Sequence, residues 1–186
     1  DHVKEWLAPK TVLYTHFITG IVEPLRAQLE ELGYTVAVQT GRSKSKAGLE
    51  DFKAGKADIL IGSATIGTGV DELQYVCNRL VFISLPWSNA EYQQIIGRLH
   101  RQGSRFKKVD VIVPIVVLRE AKAGIWSWDD KRRRCIEYKQ TLADAAIDGS
   151  IPQGRLPSKE ELQRRSMEAL KKWMSRAKIG TPPETT

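Results

Sequence analysis

Residues 79–104 read RLVFISLPWSNAEYQQIIGRLHRQGS, and the stretch changes its period once. RLVFISLP is a continuous apolar run, the pattern of a strand buried on both faces. Ser88 then precedes Glu91 by three positions, which is a capping box, and Tyr92, Ile95, Ile96 and Leu99 recur at helical spacing. At roughly 100° per residue, Gln94, Arg98 and Arg101 fall on a stripe opposite that apolar face. The stripe is expected to point away from the core, and on an arbitrary amphipathic helix such a stripe is an ordinary solvated face.

Outward from this stretch the alternation of strand and helix repeats. Residues 10–17 (KTVLYTHF), 34–40 (YTVAVQT), 57–63 (ADILIGS) and 109–117 (VDVIVPIVV) are the other apolar, β-rich runs. Between the first two, Ile21, Val22, Leu25, Leu29 and Leu32 mark a helix closed by Gly33. A short helix is expected over residues 49–53, and a Gly-rich turn over residues 62–70. Apolar strands separated by helices predict an α/β fold with a parallel sheet covered on both faces.

From residue 119 the pattern is helical. SWDDKRRRCIEYKQTLADAAIDG (residues 127–149) starts at a Ser127 cap with Asp130, and its expected apolar side is Cys135, Tyr138, Leu142 and Ala146. SKEELQRRSMEALKKWMSRA (residues 158–177) starts at Ser158 with Glu161, and Leu162, Ala169, Leu170 and Trp173 form its expected buried stripe. GSIPQGRLP between them reads as a linker. The expected organisation is an α/β domain over 1–118, a helical extension packed on it over 119–178, and a flexible tail over 179–186.

The chain has 186 residues, 41% apolar and 27% charged, which suits one good core and an appendage. Lys and Arg number 29 against 22 Asp and Glu, a net charge of +7, and that excess favours a polyanionic partner. Cys77 and Cys135 lie far apart with no CxxC, and His2, His16 and His100 have no zinc spacing, so reduced thiols in an intracellular protein and no metal site are expected. No apolar run approaches the roughly 18 residues of a membrane span. The first residue is Asp, and the chain is expected to be a piece of a longer protein.

Ligands of open parallel sheets gather at the carboxyl ends of the strands. The loop with Gly62, Gly67 and Gly69 beside Ser63, Thr65 and Thr68 offers N–H groups and hydroxyls suited to phosphates, although such clusters are also common turn chemistry. Gly55–Lys56 lacks the remaining residues of a P-loop. Asp71–Leu73 lies past a glycine turn and not at the end of a strand, so it is no ATPase acidic box.

QIIGRLHR (residues 94–101) fits the QxxGRxxR box of superfamily 2 helicases, and residues 86–104 resemble that box in Swi/Snf-type DNA translocases. ILIGSATIGTGVDEL resembles the family's Ser/Thr–Gly box, and TVLYTHF the box that opens the second motor lobe. The turn is one residue shorter than the Swi/Snf pattern and ends in Asp71, where that subfamily usually has Asn. The resemblance spans residues 10–117 and implies the second RecA-like lobe of an ATP-driven DNA translocase or helicase. It implies that Arg98 and Arg101 act as arginine fingers on ATP and that Gln94 senses nucleotide or orients water. Gly67, Gly69 and Asp71 fall near the nucleotide, and His16, Gly41, Arg42, Ser63 and Thr65 near the nucleic-acid backbone. The implied cofactors are ATP and Mg²⁺, bound mainly by an N-terminal RecA-like lobe of the parent chain. The implied partner is DNA, with RNA as the alternative, and no membrane; the expected location is intracellular, cytoplasmic or nucleoid in a bacterium. A non-catalytic nucleic-acid-binding module and a scaffold built on the terminal helices are the rival functions.

Overall fold

The computed structural model describes residues 6–147 and 158–177, in two compact units, Asp1–Pro114 and Ile115–Thr186. The first unit runs β1 (Thr11–Tyr14), α1 (Val22–Glu31), β2 (Val36–Gln39), α2 (Ala47–Lys53), β3 (Ile59–Gly62), α3 (Thr65–Gly69), α4 (Leu73–Val76), β4 (Arg79–Phe82), α5 (Asn89–Gly97) and β5 (Asp110–Ile112). Its five strands form one sheet in the order β2-β3-β1-β4-β5, and every pair is parallel.

Register and pleat together sort the core. Leu13 lies opposite Ile61 and Val81, and Tyr14 opposite Gly62 and Phe82. Successive side chains alternate between faces, so Leu13, Ile59, Ile61 and Val81 gather on one face, where Val22 and Leu29 of α1 join them. Val12, Tyr14, Leu60, Leu80 and Phe82 are buried on the other. There the Tyr92 ring of α5 lies 4.9 Å from that of Phe82, which lies 5.3 Å from Tyr14. Burying a phenol is costly unless its hydroxyl is bonded, and Tyr14 Oη donates to Glu91 Oε1 at 2.7 Å. Helices thus cover both faces, as the uninterrupted apolar strands imply. Gly33 ends α1 with φ +89°.

Two expectations for this unit are corrected. The run over 109–117 yields only the three residues of β5, since Pro114 has no N–H to extend a ladder. The Gly-rich segment is not an open turn: it folds into α3 and then α4. Ile66, fully buried, is the reason. A Cβ on Gly62 would stand 2.0 Å from Ile66 Cδ1, so this glycine makes room for a core side chain and not for phosphate. Cys77 is buried too, and burial pushes its thiol up to about 12.

The second unit begins with an unforeseen antiparallel hairpin, β6 (Leu118–Glu120) and β7 (Gly124–Trp126). Then come α6 (Trp128–Ile147) and α7 (Lys159–Ala177). Both expected caps form: Ser127 Oγ accepts from Asp130 N and Ser158 Oγ from Glu161 N, each at 3.1 Å. Trp173 of α7 is buried and its Nε1 donates to Gly124 O at 3.1 Å. The buried side of α6 is shifted from the expected one: Arg132 and Ile136 are buried while Tyr138 is half exposed. Arg132 resembles a polar-face residue by type, so apolar periodicity misplaces the stripe. The expected linker at 149–157 and tail at 179–186 lie outside the described residues.

Candidate functional site

Ser88 Oγ accepts from Glu91 N at 3.2 Å and starts α5. Ile95 and Leu99 are fully buried, which fixes the rotation of the helix about its axis. The helix stops at Gly97, and this corrects the single-helix stripe. Gln94 lies on α5, Arg98 caps it, and Arg101 belongs to the turn that follows. That turn is held from outside. Ser104 N donates to Arg101 O at 3.0 Å, while Ser104 Oγ and Arg105 N both donate to Gln74 O, at 3.1 and 3.3 Å. Gly103 adopts φ +82°, a conformation that favours glycine. The Gln-Gly-Ser sequence therefore pins the turn bearing Arg101 to the strand-connecting helix α4.

Arg98 does not simply face solvent, which corrects the second half of that expectation. Its Nε and Nη2 donate to Gly67 O at 2.8 and 2.5 Å, and its Nη1 to Asp71 Oδ1 at 2.8 Å. Arg101 Nη1 reaches the same Asp71 oxygen at 3.2 Å. The Arg98 side chain is 24% exposed and that of Arg101 54%. Gly67, Thr68, Gln94, Gly97, Arg98 and Arg101 line a cleft of about 490 Å³. Two guanidinium groups share one carboxylate, so the cleft is net positive. Glu72, next to Asp71, takes a left-handed φ of +72°, and its carboxylate is held by Lys53 Nζ at 2.8 Å. Burial works against the Lys53 charge, yet its bonds to Glu72 and Glu50 raise its pKa. Gly69 ends α3, exposed, with open space where a Cβ would go.

The residues assigned to the nucleic-acid side follow three adjacent strands. Gly41 and Arg42 come after β2, Ser63 and Thr65 after β3, and His16 after β1. Gly41 N donates to Ser63 Oγ at 3.3 Å, and Thr65 Oγ1 to Gln39 O at 3.3 Å. Arg42 Nη2 donates to Thr19 Oγ1 at 2.9 Å, and His16 N to Ser84 Oγ at 2.7 Å. Gly41, Ser63 and Thr65 thus form one cluster, with Arg42 beside Thr19 and His16 beside Ser84. Sequence reasoning missed Thr19 and Ser84, although each lies just beyond a strand's carboxyl end, where such groups collect. Among the described residues, no three His, Cys, Asp or Glu side chains are grouped to hold a metal ion, and no helix is long and apolar enough to cross a membrane.

Residues 4–103, just over half of the chain, match the family described as the helicase conserved C-terminal domain. Over 55 residues the chain is 38% identical to an uncharacterized ATP-dependent helicase, YqhH, of Bacillus subtilis (strain 168); the match covers 30% of this chain and 10% of that protein. The chain therefore spans a small part of the curated relative it matches. The C-terminal part of the Fun30 ATPase domain is similar with a TM-score of 0.55 at 16% identity, over 80% of this chain and 50% of that one. A DEAD box protein from the hyperthermophile Methanococcus jannaschii gives 0.54 at 20% identity, over 74% and 34%. The C-terminal domain of the DEAD-box protein Dbp5 gives 0.52 at 18% identity, over 90% and 87%. At such identities the likeness is one of fold.

Proposed function

The chain belongs to the helicase conserved C-terminal domain family, and on that premise we propose that it is the second motor lobe of an ATP-dependent DNA translocase or helicase of Swi/Snf type. Its task is to close on ATP held by an N-terminal lobe, present arginines to the triphosphate, and grip the nucleic-acid backbone. The observation that carries this reading is the convergence of Gln94, Arg98, Arg101 and Gly67 on one positive cleft.

A guanidinium forks onto phosphate oxygens and offsets the charge that grows as the γ-phosphoryl departs. Arg101, with the more exposed side chain, is the group placed to do this, while Arg98 is tied to Gly67 O and braces the cleft wall. Gln94, exposed on α5 above Gly67, reaches the same space to sense nucleotide or orient water. The donors fit phosphate oxygens and not a divalent cation, for Asp71, the cleft's carboxylate, is already shared by both arginines. Mg²⁺, which neutralises triphosphate charge when bound, falls to the N-terminal lobe. On the other side, the N–H groups, hydroxyls and Arg42 at the strand ends hold phosphodiester oxygens without reading bases. Alternate gripping by the two lobes as ATP binds and leaves then moves the motor along a strand.

Two preparations test this. The chain alone, which has no P-loop lysine in its sequence, is expected to show no ATP turnover with or without DNA; joined to its N-terminal lobe it is expected to turn over and to be stimulated by DNA more than by RNA. Robust DNA-stimulated hydrolysis by the chain alone, or none in the joined protein, would contradict the reading.

A further inference from the structure

The second unit holds a cleft that the motor cycle does not use. It measures about 500 Å³ and is lined by Ile115, Val117, Ile125, Trp126, Ser127, Asp130, Lys131 and Arg134, a size within the range of about 300–1,000 Å³ common for small-ligand sites. One wall is apolar and open to water: Val117 is 39% and Ile125 66% exposed, beside the half-buried Trp126. The other wall is cationic. Lys131 Nζ lies 5.8 Å from the centre of the Trp126 ring and makes no ion pair among the described residues. Burial lowers its pKa, so its charge is partly stripped of water, and among the described residues no carboxylate is paired with it. Arg134 is well exposed, with its Nε on Asp130 at 2.8 Å. The Asp130 carboxylate is held by Arg133 as well, at 2.9 Å, and the Arg133 bond in particular depresses its pKa. Arg133 is also paired with Glu137, at 2.8 Å, and of the charged groups that line the cleft one acid, Asp130, stands against two bases, Lys131 and Arg134, which leaves this wall positive.

The charge of the whole chain points the same way. Residues 115–186 carry 15 Lys and Arg against 10 Asp and Glu, whereas residues 1–114 carry 14 against 12. The basic excess is concentrated in the appendage and not in the sheet unit. An apolar, aromatic surface beside cations is the combination that holds a single strand with little regard to sequence, because every base has a flat apolar face and every link a phosphate.

We propose that the cleft between the β6–β7 hairpin and the first turns of α6 is a second nucleic-acid contact, taking one nucleotide of a single strand with its base on Val117, Ile125 and Trp126 and its phosphate on Lys131 and Arg134. It rests on the reading that the lobe works on nucleic acid, and it adds a hold outside the strand-end row. An acidic, apolar protein segment is the rival occupant.

The test uses a fluorescein-labelled oligothymidylate of about 15 nucleotides, a length that covers a typical single-strand site, and a copy carrying 5-iodouracil for photocrosslinking. Anisotropy is read on the wild-type chain, on the Lys131→Ala/Arg134→Ala double variant and on Arg42→Ala, with circular dichroism to verify folding. The expected crosslink falls on Trp126, and the double variant is expected to bind about 5–20-fold more weakly near 0.1 M salt, with a salt slope shallower by about 2. A crosslink elsewhere together with double-variant affinity within about twofold of wild type would overturn the proposal, and would leave the cleft to the protein-segment rival. If Arg42→Ala weakens binding and the double variant does not, the strand-end grip stands and this cleft falls. The reverse pattern upholds the cleft and removes the strand-end grip.

Discussion

In the cleft beside α5, the groups that seek anions are two guanidinium side chains already held by the Asp71 carboxylate. Along the strand ends they are backbone N–H groups and hydroxyls that bond to one another, with a single arginine among them. The first is a concentrated charge with a built-in counterion; the second is a distributed surface on which Arg42 is the one charge among the named groups. A concentrated charge suits a step in which negative charge grows at one place, because its value lies in the difference between ground and transition state. A distributed surface suits a backbone that must be released on every cycle, since no single contact is strong.

The largest effect that sharpens this contrast is catalytic. In the two-lobed parent protein, Arg101→Ala is expected to lower kcat by about 10³–10⁵, or about 4–7 kcal/mol of transition-state stabilisation, and Arg98→Ala, which removes the brace of the cleft wall, to lower it as well. Arg→Lys is expected to restore little, since Lys keeps charge without the planar fork. Steady-state, DNA-stimulated ATP hydrolysis reads this directly.

Within the cleft the two arginines are expected to part in stability. Arg98→Ala leaves Gly67 O without its two donors and is expected to cost about 1–3 kcal/mol in urea unfolding, whereas Arg101→Ala, more exposed, is expected to stay within about 0.5 kcal/mol. Equal costs would mean that Arg98 has no bracing role. On the strand-end side, Arg42→Ala is expected to shallow the dependence of log K on log salt by about 1 and to weaken all DNA sequences alike. A variant that weakened only some sequences would show that the row reads bases. Asp71→Asn removes two partly exposed ion pairs and is expected to cost under about 1 kcal/mol.

Much of the fold was legible because apolar runs and capping boxes are local. The strands around Leu13, Leu60 and Leu80 and the caps at Ser88, Ser127 and Ser158 needed no tertiary information. What was hidden depended on contacts distant in sequence. α5 ends at Gly97 because Ser104 and Arg105 find Gln74 O, some thirty residues back. The Gly-rich segment is helical because Ile66 fills the space over Gly62, and composition alone reads the same residues as a turn. For the candidate site, the arginine box supplied the residue types, but nothing in the spacing revealed that Arg98 and Arg101 share Asp71. The β6–β7 hairpin was missed because its strands are three residues each, too short for alternation to register.

On the proposed reading the arginine cleft acts on the transition state and the strand ends act on DNA. The most direct test of that reading is the affinity of the two-lobed parent for ADP and for ADP with aluminium fluoride, a mimic of the departing phosphoryl group, in wild type and in Arg101→Ala. ADP affinity is expected to stay within about threefold and affinity for the mimic to fall by at least about 10², since transition-state analogues report differential binding. Equal losses for both ligands, or a collapse of DNA affinity in their place, would contradict it.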